Sequence, residues 1–296
     1  MEQKRSPQLV ELLEPLITRD GFIRTTLAEV YLVAARRQVP RTPLIYEPSL
    51  IVIAQGQKVG YLGDRTIHYN PGQYLVQSLP LPFECETQAT PEAPLMGIAV
   101  RFDPSTLSEL VHDTEGEIFR EEDTDPLPMA SVAMTEGMHE AMVRLLRALV
   151  DPMDARVMGR ARVREVVYEA LKGEQGGALR ALVQNRGRYS RIVQVLQRLH
   201  AEFDRDYTVD ELAAQANMSA SAFHQHFKDI TRSSPLQYLK RFRLIKARQL
   251  MTRDHLNVNQ AAAAVGYRSV SQFSRDYKRY FTVTPARHRR LPVSEN

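Results

Sequence analysis

Two hydrophobic periods alternate along the chain. Between residues 9 and 18 the apolar positions Leu9, Leu12, Leu13, Leu16 and Ile17 fall three and four apart, which predicts a short helix. From Thr25 to Arg101 the period shortens. The runs Tyr31-Leu-Val, Ser49-Leu-Ile-Val-Ile-Ala, Lys58-Val-Gly-Tyr-Leu, Thr66-Ile-His-Tyr, Gln73-Tyr-Leu-Val-Gln-Ser, Phe83-Glu-Cys-Glu-Thr and Leu95-Met-Gly-Ile-Ala-Val-Arg-Phe are short and rich in β-branched and aromatic residues. Gly63-Asp64, Asn70-Pro71-Gly72 and several prolines separate them. Many short strands at close spacing predict a sandwich or barrel. After Pro126-Leu-Pro128 the helical period returns, with Met138, Met142, Leu145, Leu146 and Leu149 on one face. Val163, Val166, Val167, Ala170 and Leu171 line a second helix, and Asp151-Pro152 divides the two. The polar stretch 184–190 reads as a linker between two separate apolar cores. Beyond it Ile192, Val195, Leu196, Leu199 and Phe203 share a helical face.

The stretch from Thr208 to Arg289 repeats itself. Adding fifty carries Ser219-Ala-Ser-Ala-Phe-His-Gln-His-Phe-Lys228 onto Ser269-Val-Ser-Gln-Phe-Ser-Arg-Asp-Tyr-Lys278. Upstream the offset is forty-nine, so the second copy has one extra residue near Arg268. Each copy opens on a capping pair, Thr208-x-x-Glu211 or Asn257-x-x-Gln260. Small residues follow, then a turn at Asn217-Met218 or Gly266-Tyr267, then a serine able to start the next helix. In that helix Phe223 and Phe227, or Phe273 and Tyr277, are four apart and share the buried face. The outward face then holds Ser221, His224, Gln225 and Lys228 in one copy, and Ser271, Gln272, Arg275 and Lys278 in the other. Such side chains read base edges or hold phosphates in a major groove. Ser234-Pro235 to about Met251 forms the joining helix, roughly 25 Å long, a spacer suited to recognition helices about one DNA turn apart.

The run Ala262-x-x-Val265-Gly266-Tyr267-x-Ser269-x-Ser271-x-Phe273-Ser274-Arg275-x-Tyr277-Lys278-Arg279-x-Phe281-x-x-x-Pro285 resembles the signature of AraC/XylS-type transcription regulators. The resemblance covers about the last hundred residues. It implies an all-α domain of two helix-turn-helix units over residues 190–291, with double-stranded promoter DNA as partner and RNA polymerase as a further one. Where the family has glycine after each recognition helix, this chain has Arg232 and Thr282. A side chain with a Cβ at a left-handed position costs about 1 kcal/mol. Residues 1–183 are similar, less specifically, to the cupin-like jelly-roll barrel of one AraC-type subgroup. That similarity implies that the helices within 136–172 serve as dimerisation helices of a homodimer; packing onto their own barrel is the alternative. The expected fold class is therefore α+β. Whether the regulator is an activator or a repressor stays open.

Charge supports the division. Residues 188–290 carry a net +11 and residues 1–187 a net −6, as a DNA-binding unit on a non-binding partner would show. An enzyme is the rival reading, a cupin tethered to DNA. Cupin metals want at least three ligands, and the barrel stretch offers only His68. Cys85 is the single cysteine, with no histidine near it in sequence. His224 and His226 point apart on a helix. No catalysis, no metal and no cofactor are expected. An architectural DNA binder with little sequence preference is a third class. A barrel can also hold a small organic effector, with Tyr61, Tyr74, Gln77, Glu84 and Arg101 as candidate lining residues. Equally, its own side chains can fill it. The N-terminus lacks the apolar run of a signal peptide, and no stretch approaches a membrane span, so a cytoplasmic protein is expected.

Overall fold

A computed structural model describes residues 6–114, 126–184 and 187–290. The N-terminal half is built on two facing antiparallel sheets. In chain order the strands are β1 (Gly21–Arg24), β2 (Val30–Ala35), β3 (Val39–Leu44), β4 (Ser49–Gln55), β5 (Gln57–Leu62), β6 (Arg65–Tyr69), β7 (Gln73–Gln77), β8 (Phe83–Gln88), β9 (Leu95–Arg101) and β10 (Met129–Ala133). One sheet runs β1-β2-β9-β4-β7-β10 and the other β3-β8-β5-β6. The continuous apolar run of β4 follows from its place. Ile51 and Ile53 face the second sheet, while Leu50, Val52 and Ala54 face helices on the outer side. All seven β4 residues are buried.

The outer helices are α1 (Pro7–Leu13), α2 (Pro104–Asp113), α3 (Glu136–Val150), α4 (Pro152–Lys172) and α5 (Gly176–Arg180). The expected helix over 9–18 is shorter than its apolar pattern; α1 ends at Leu13 and a 3-10 turn follows over Glu14–Leu16, where Pro15 interrupts the ladder. Strands β1, β3 and β10 carry no clear alternation. All three are edge strands, and β3 holds Pro40 within a register shift between Val39 and Thr42 and Pro43 just beyond it, where a missing N–H is tolerated. Helix α2 starts on Asp103, whose carboxylate accepts from the Thr106 N–H.

The C-terminal half comprises α6 (Gly187–Ala201), α7 (Val209–Gln215), α8 (Ala220–Thr231), α9 (Pro235–Thr252), α10 (Val258–Ala264), α11 (Val270–Phe281) and α12 (Pro285–Arg290). Both expected capping boxes form, at Thr208/Glu211 and Asn257/Gln260. Ser219 and Ser269 cap α8 and α11 by accepting from Ala222 N–H and Gln272 N–H.

The expectation of two separate cores does not hold. Ile192, Leu196, Phe223, Phe227, Tyr238 and Phe242 join one apolar cluster with Leu79, Leu81 and Phe83 of the sheets. Hydrogen bonds cross the same junction: Ser78 Oγ meets Tyr189 Oη at 2.9 Å, and Tyr238 Oη donates to the Pro80 carbonyl at 2.9 Å. The segment 184–190 is not a free linker either. Residues 187–190 already belong to α6 with Tyr189 and Ser190 buried, and residues 185–186 lie outside the described part. Among the described residues the second helix-turn-helix unit has a core of its own, around Leu244, Met251, Val265, Phe273, Tyr277 and Phe281.

Candidate nucleic-acid interface

Ser221, His224, Gln225 and Lys228 on α8, and Ser271, Gln272, Arg275 and Lys278 on α11, are all exposed. The buried positions set this orientation. Phe223, Phe227, Phe273 and Tyr277 are fully covered and anchor one side of each helix, so the polar side turns to solvent. Gln225 Nε2 donates to Asp229 Oδ1 one turn on, at 2.9 Å.

The two units are locked to each other through the loop after α6 and through ion pairs, among them Arg268 with Asp206 at 2.8 Å. Arg243 of α9 donates to the carbonyls of Phe203 and Arg205, at 2.6 and 2.7 Å. Gly266 adopts φ +77 in the second turn, and a Cβ there would lie 2.1 Å from the Asp204 carbonyl oxygen, so only glycine fits. Asp276 is buried on α11 and pairs with Lys240 of α9 at 2.7 Å and with Arg279 at 2.7 Å. This fixes the roll of α11 on α9. The first copy has His226 in the place of Asp276 and so lacks the pair.

His200 stacks on Phe242 with centroids 4.3 Å apart, and its Nε2 lies 2.6 Å from Tyr238 Oη. Burial, helped by the Lys246 charge, pushes its pKa down to about 3. The imidazole is therefore neutral at physiological pH and serves the core, not phosphate binding.

A cleft of about 920 Å³ opens between the first sheet and the end of α9. Phe22, Tyr31, Tyr46 and Ile51 supply its apolar wall, Arg24 and Arg101 the charge on the sheet side, and Lys246 and Arg253 the charge on the helical side. Glu47 is the single carboxylate among the described residues that line it. Arg101 donates to the Ala28 carbonyl at 2.9 Å and sits 5.0 Å from the Tyr31 ring.

The two sheets form a sandwich rather than the expected closed barrel, and of the residues singled out for a ligand only Arg101 lines this cleft. Tyr74 is buried on the opposite face of the sheet, among the helices. Gln77 is fully buried and donates to the Tyr46 and Leu79 carbonyls. Tyr61 lies under Arg41 with its hydroxyl on Glu86, and Glu84 pairs with Arg41. Alternation within a strand says which residues share a face; it does not say which face meets the opposing sheet. Lys246 and Arg253 were not legible as lining residues, because their contribution depends on how the halves dock. His68 is exposed, and among the described residues no group of three metal-ligating side chains occurs. Cys85 is buried, with Tyr69 Oη 3.1 Å and Lys58 Nζ 3.8 Å from its sulfur. No described helix is long and apolar enough to cross a membrane.

Comparison with known proteins agrees with this architecture. Residues 212–291 match the family model of a helix-turn-helix domain. HTH-type transcriptional regulator AlkR of Acinetobacter baylyi is 40% identical over 94 residues, which is 32% of this chain and 31% of that protein. The RCS-specific HTH-type transcriptional activator RclR of Escherichia coli is 36% identical over 101 residues, 34% of this chain and 36% of that one. The chain thus spans about a third of the length of these relatives. Unsaturated fatty acid-bound ToxT from Vibrio cholerae shares the fold, with a TM-score of 0.59 at 9% identity, covering 92% of this chain and 98% of that one. Residues 26–178, more than half of the chain, match the model described as the N-terminus of AraC-type transcriptional regulators, and the chain belongs to that family.

Proposed function

We propose that this chain regulates transcription by binding promoter DNA sequence-specifically through α8 and α11, within a DNA-binding domain at 190–291 carried by a regulatory domain at 1–183. The observation that carries the reading is the pair of exposed polar faces on two equivalent helices, each anchored by buried aromatics. Gln225, His224, Gln272 and Arg275 contact base edges; Lys228 and Lys278 neutralise phosphates. The test is a binding assay with the full chain on a site selected from random DNA. Arg275→Ala is expected to cost about 1–3 kcal/mol and to relax preference at one subsite. Lys278→Ala weakens all sequences alike and flattens the salt dependence. Equal binding of wild type and Arg275→Ala would remove the assignment.

The cleft supports effector control of the same molecule. Its cations come from both halves and its wall is aromatic and aliphatic, which suits an organic acid with an apolar body. ToxT, of the same fold, has been solved with an unsaturated fatty acid. A ligand shifts DNA binding only by its differential affinity for two arrangements of the halves, and a cleft between them supplies that difference. Oleate is the probe: it is expected to raise the Tm of the full chain and to change its DNA affinity, and Arg101→Glu is expected to abolish both effects. Dimerisation is supported by Val150, Met153, Val157 and Met158, exposed apolar side chains that cluster at the α3–α4 corner.

A further inference from the structure

Helix α11 hides its apolar side chains with one exception. Phe273 and Tyr277 are fully buried and Phe281 nearly so, whereas Val270 is 38% exposed. It stands at the first helical position, immediately after the cap residue Ser269. A β-branched side chain loses rotamer freedom in a helix, so helix stability gives no reason for valine there. No core cluster includes it. The neighbouring cap hydroxyl is spent, because Ser269 Oγ accepts the Gln272 N–H at 3.3 Å. The side chains exposed at the start of the helix are therefore Ser269, the apolar fork of Val270, Ser271 and Gln272.

The first residues of a helix lying in the major groove are the ones that reach base edges. Valine has no donor or acceptor, so it cannot pair with the polar edge of guanine, adenine or cytosine. Thymine alone offers an apolar group there, its C5-methyl. Facing any other base, the valine would cover polar edge atoms without replacing their water. We propose that Val270 is a specificity residue that reads one thymine methyl in the part of the site contacted by α11. The equivalent residue of α8 is Ala220, also exposed and shorter, so this selection belongs to the second unit. The inference rests on the reading of α8 and α11 as the DNA-reading helices.

The experiment uses the full chain and a site selected from random DNA. Each thymine is replaced in turn by deoxyuridine, which removes only the methyl. One replacement, next to the subsite sensitive to Arg275→Ala, is expected to cost the wild type about four-fold in affinity, the worth of burying one methyl group. Val270→Ala should bind the thymine site correspondingly less tightly and should no longer distinguish thymine from deoxyuridine at that position. The proposal is overturned if no replacement costs the wild type two-fold or more, or if the loss persists in Val270→Ala. Failure of the underlying reading looks different: selection yields no consensus, or Arg275→Ala binds as the wild type does, and the proposal then falls with it.

Discussion

Arg232 and Thr282 follow α8 and α11 with φ of 55° and 63°. The left-handed cap survives without its usual glycine. In each case the helix that precedes it is held by a buried aromatic face, which outweighs about 1 kcal/mol of backbone cost. His200 shows a second residue-level conflict, a titratable ring placed in a core. Its folded pKa of about 3 lies below the ordinary 6.5. Between those values the unfolded chain binds a proton that the folded one refuses. Stability contributed by neutral His200 is thus complete above pH 6.5 and is lost as pH falls toward 3. Lowering the pH from 7 to 5 is expected to cost the wild type about 1–2 kcal/mol more than His200→Phe, read from urea midpoints at both pH values. An equal pH dependence in the two proteins would show that the ring titrates normally. At this scale the sequence was most readable on α8 and α11. Two aromatics four apart, repeated fifty residues on, orient the helices, and the eight polar side chains then have to face outward.

Helix α4 is an element whose sequence pattern only half describes it. Its second half carries Val163, Val166, Val167, Ala170 and Leu171 in the core. Its first half has Met153 and Val157 at 58% and 67% exposure, with only Ala155 and Gly159 buried. Gly159 lets this half lie close, since a Cβ would come within 2.5 Å of Leu27. The α3 stripe of Met138, Met142, Leu145, Leu146 and Leu149 is buried within the chain, so α3 is free to act in assembly only at its end. We propose the exposed apolar row on α4 as the dimer surface. Paired with itself antiparallel about Val157, it sets Asp154 of one copy opposite Arg160 of the other, and both are exposed. Val157→Glu is expected to leave the unfolding free energy of the protomer within about 0.5 kcal/mol of the wild type. Sedimentation is expected to show the wild type as a dimer and Val157→Glu as a monomer. A dimeric Val157→Glu protein would place the contact elsewhere.

At the scale of the whole molecule, the first helix-turn-helix unit is part of the N-terminal core and the second is not. Opening the second unit therefore disturbs less apolar surface. Native-state hydrogen exchange of the full chain should show amides of α10 and α11 exchanging through an opening of lower free energy and smaller denaturant slope than amides of α8. Identical free energies and slopes would mean that the halves open as one. The same docking creates the cleft, since Lys246 and Arg253 meet Arg24 and Arg101 only when α9 lies against the first sheet. The sequence by itself determined the central strands, the repeated units, their caps and the outward faces of α8 and α11. All of these follow from periods of two and 3.6 and from polar side chains that satisfy backbone groups within three or four residues. Tertiary structure alone decided the edge strands β1, β3 and β10, which pair through backbone groups rather than a hydrophobic face. It also decided which strand faces meet, the merging of the first unit into the sandwich, and the cleft between the halves, because contacts between residues more than a hundred positions apart, such as Ser78 with Tyr189, leave no period in the chain.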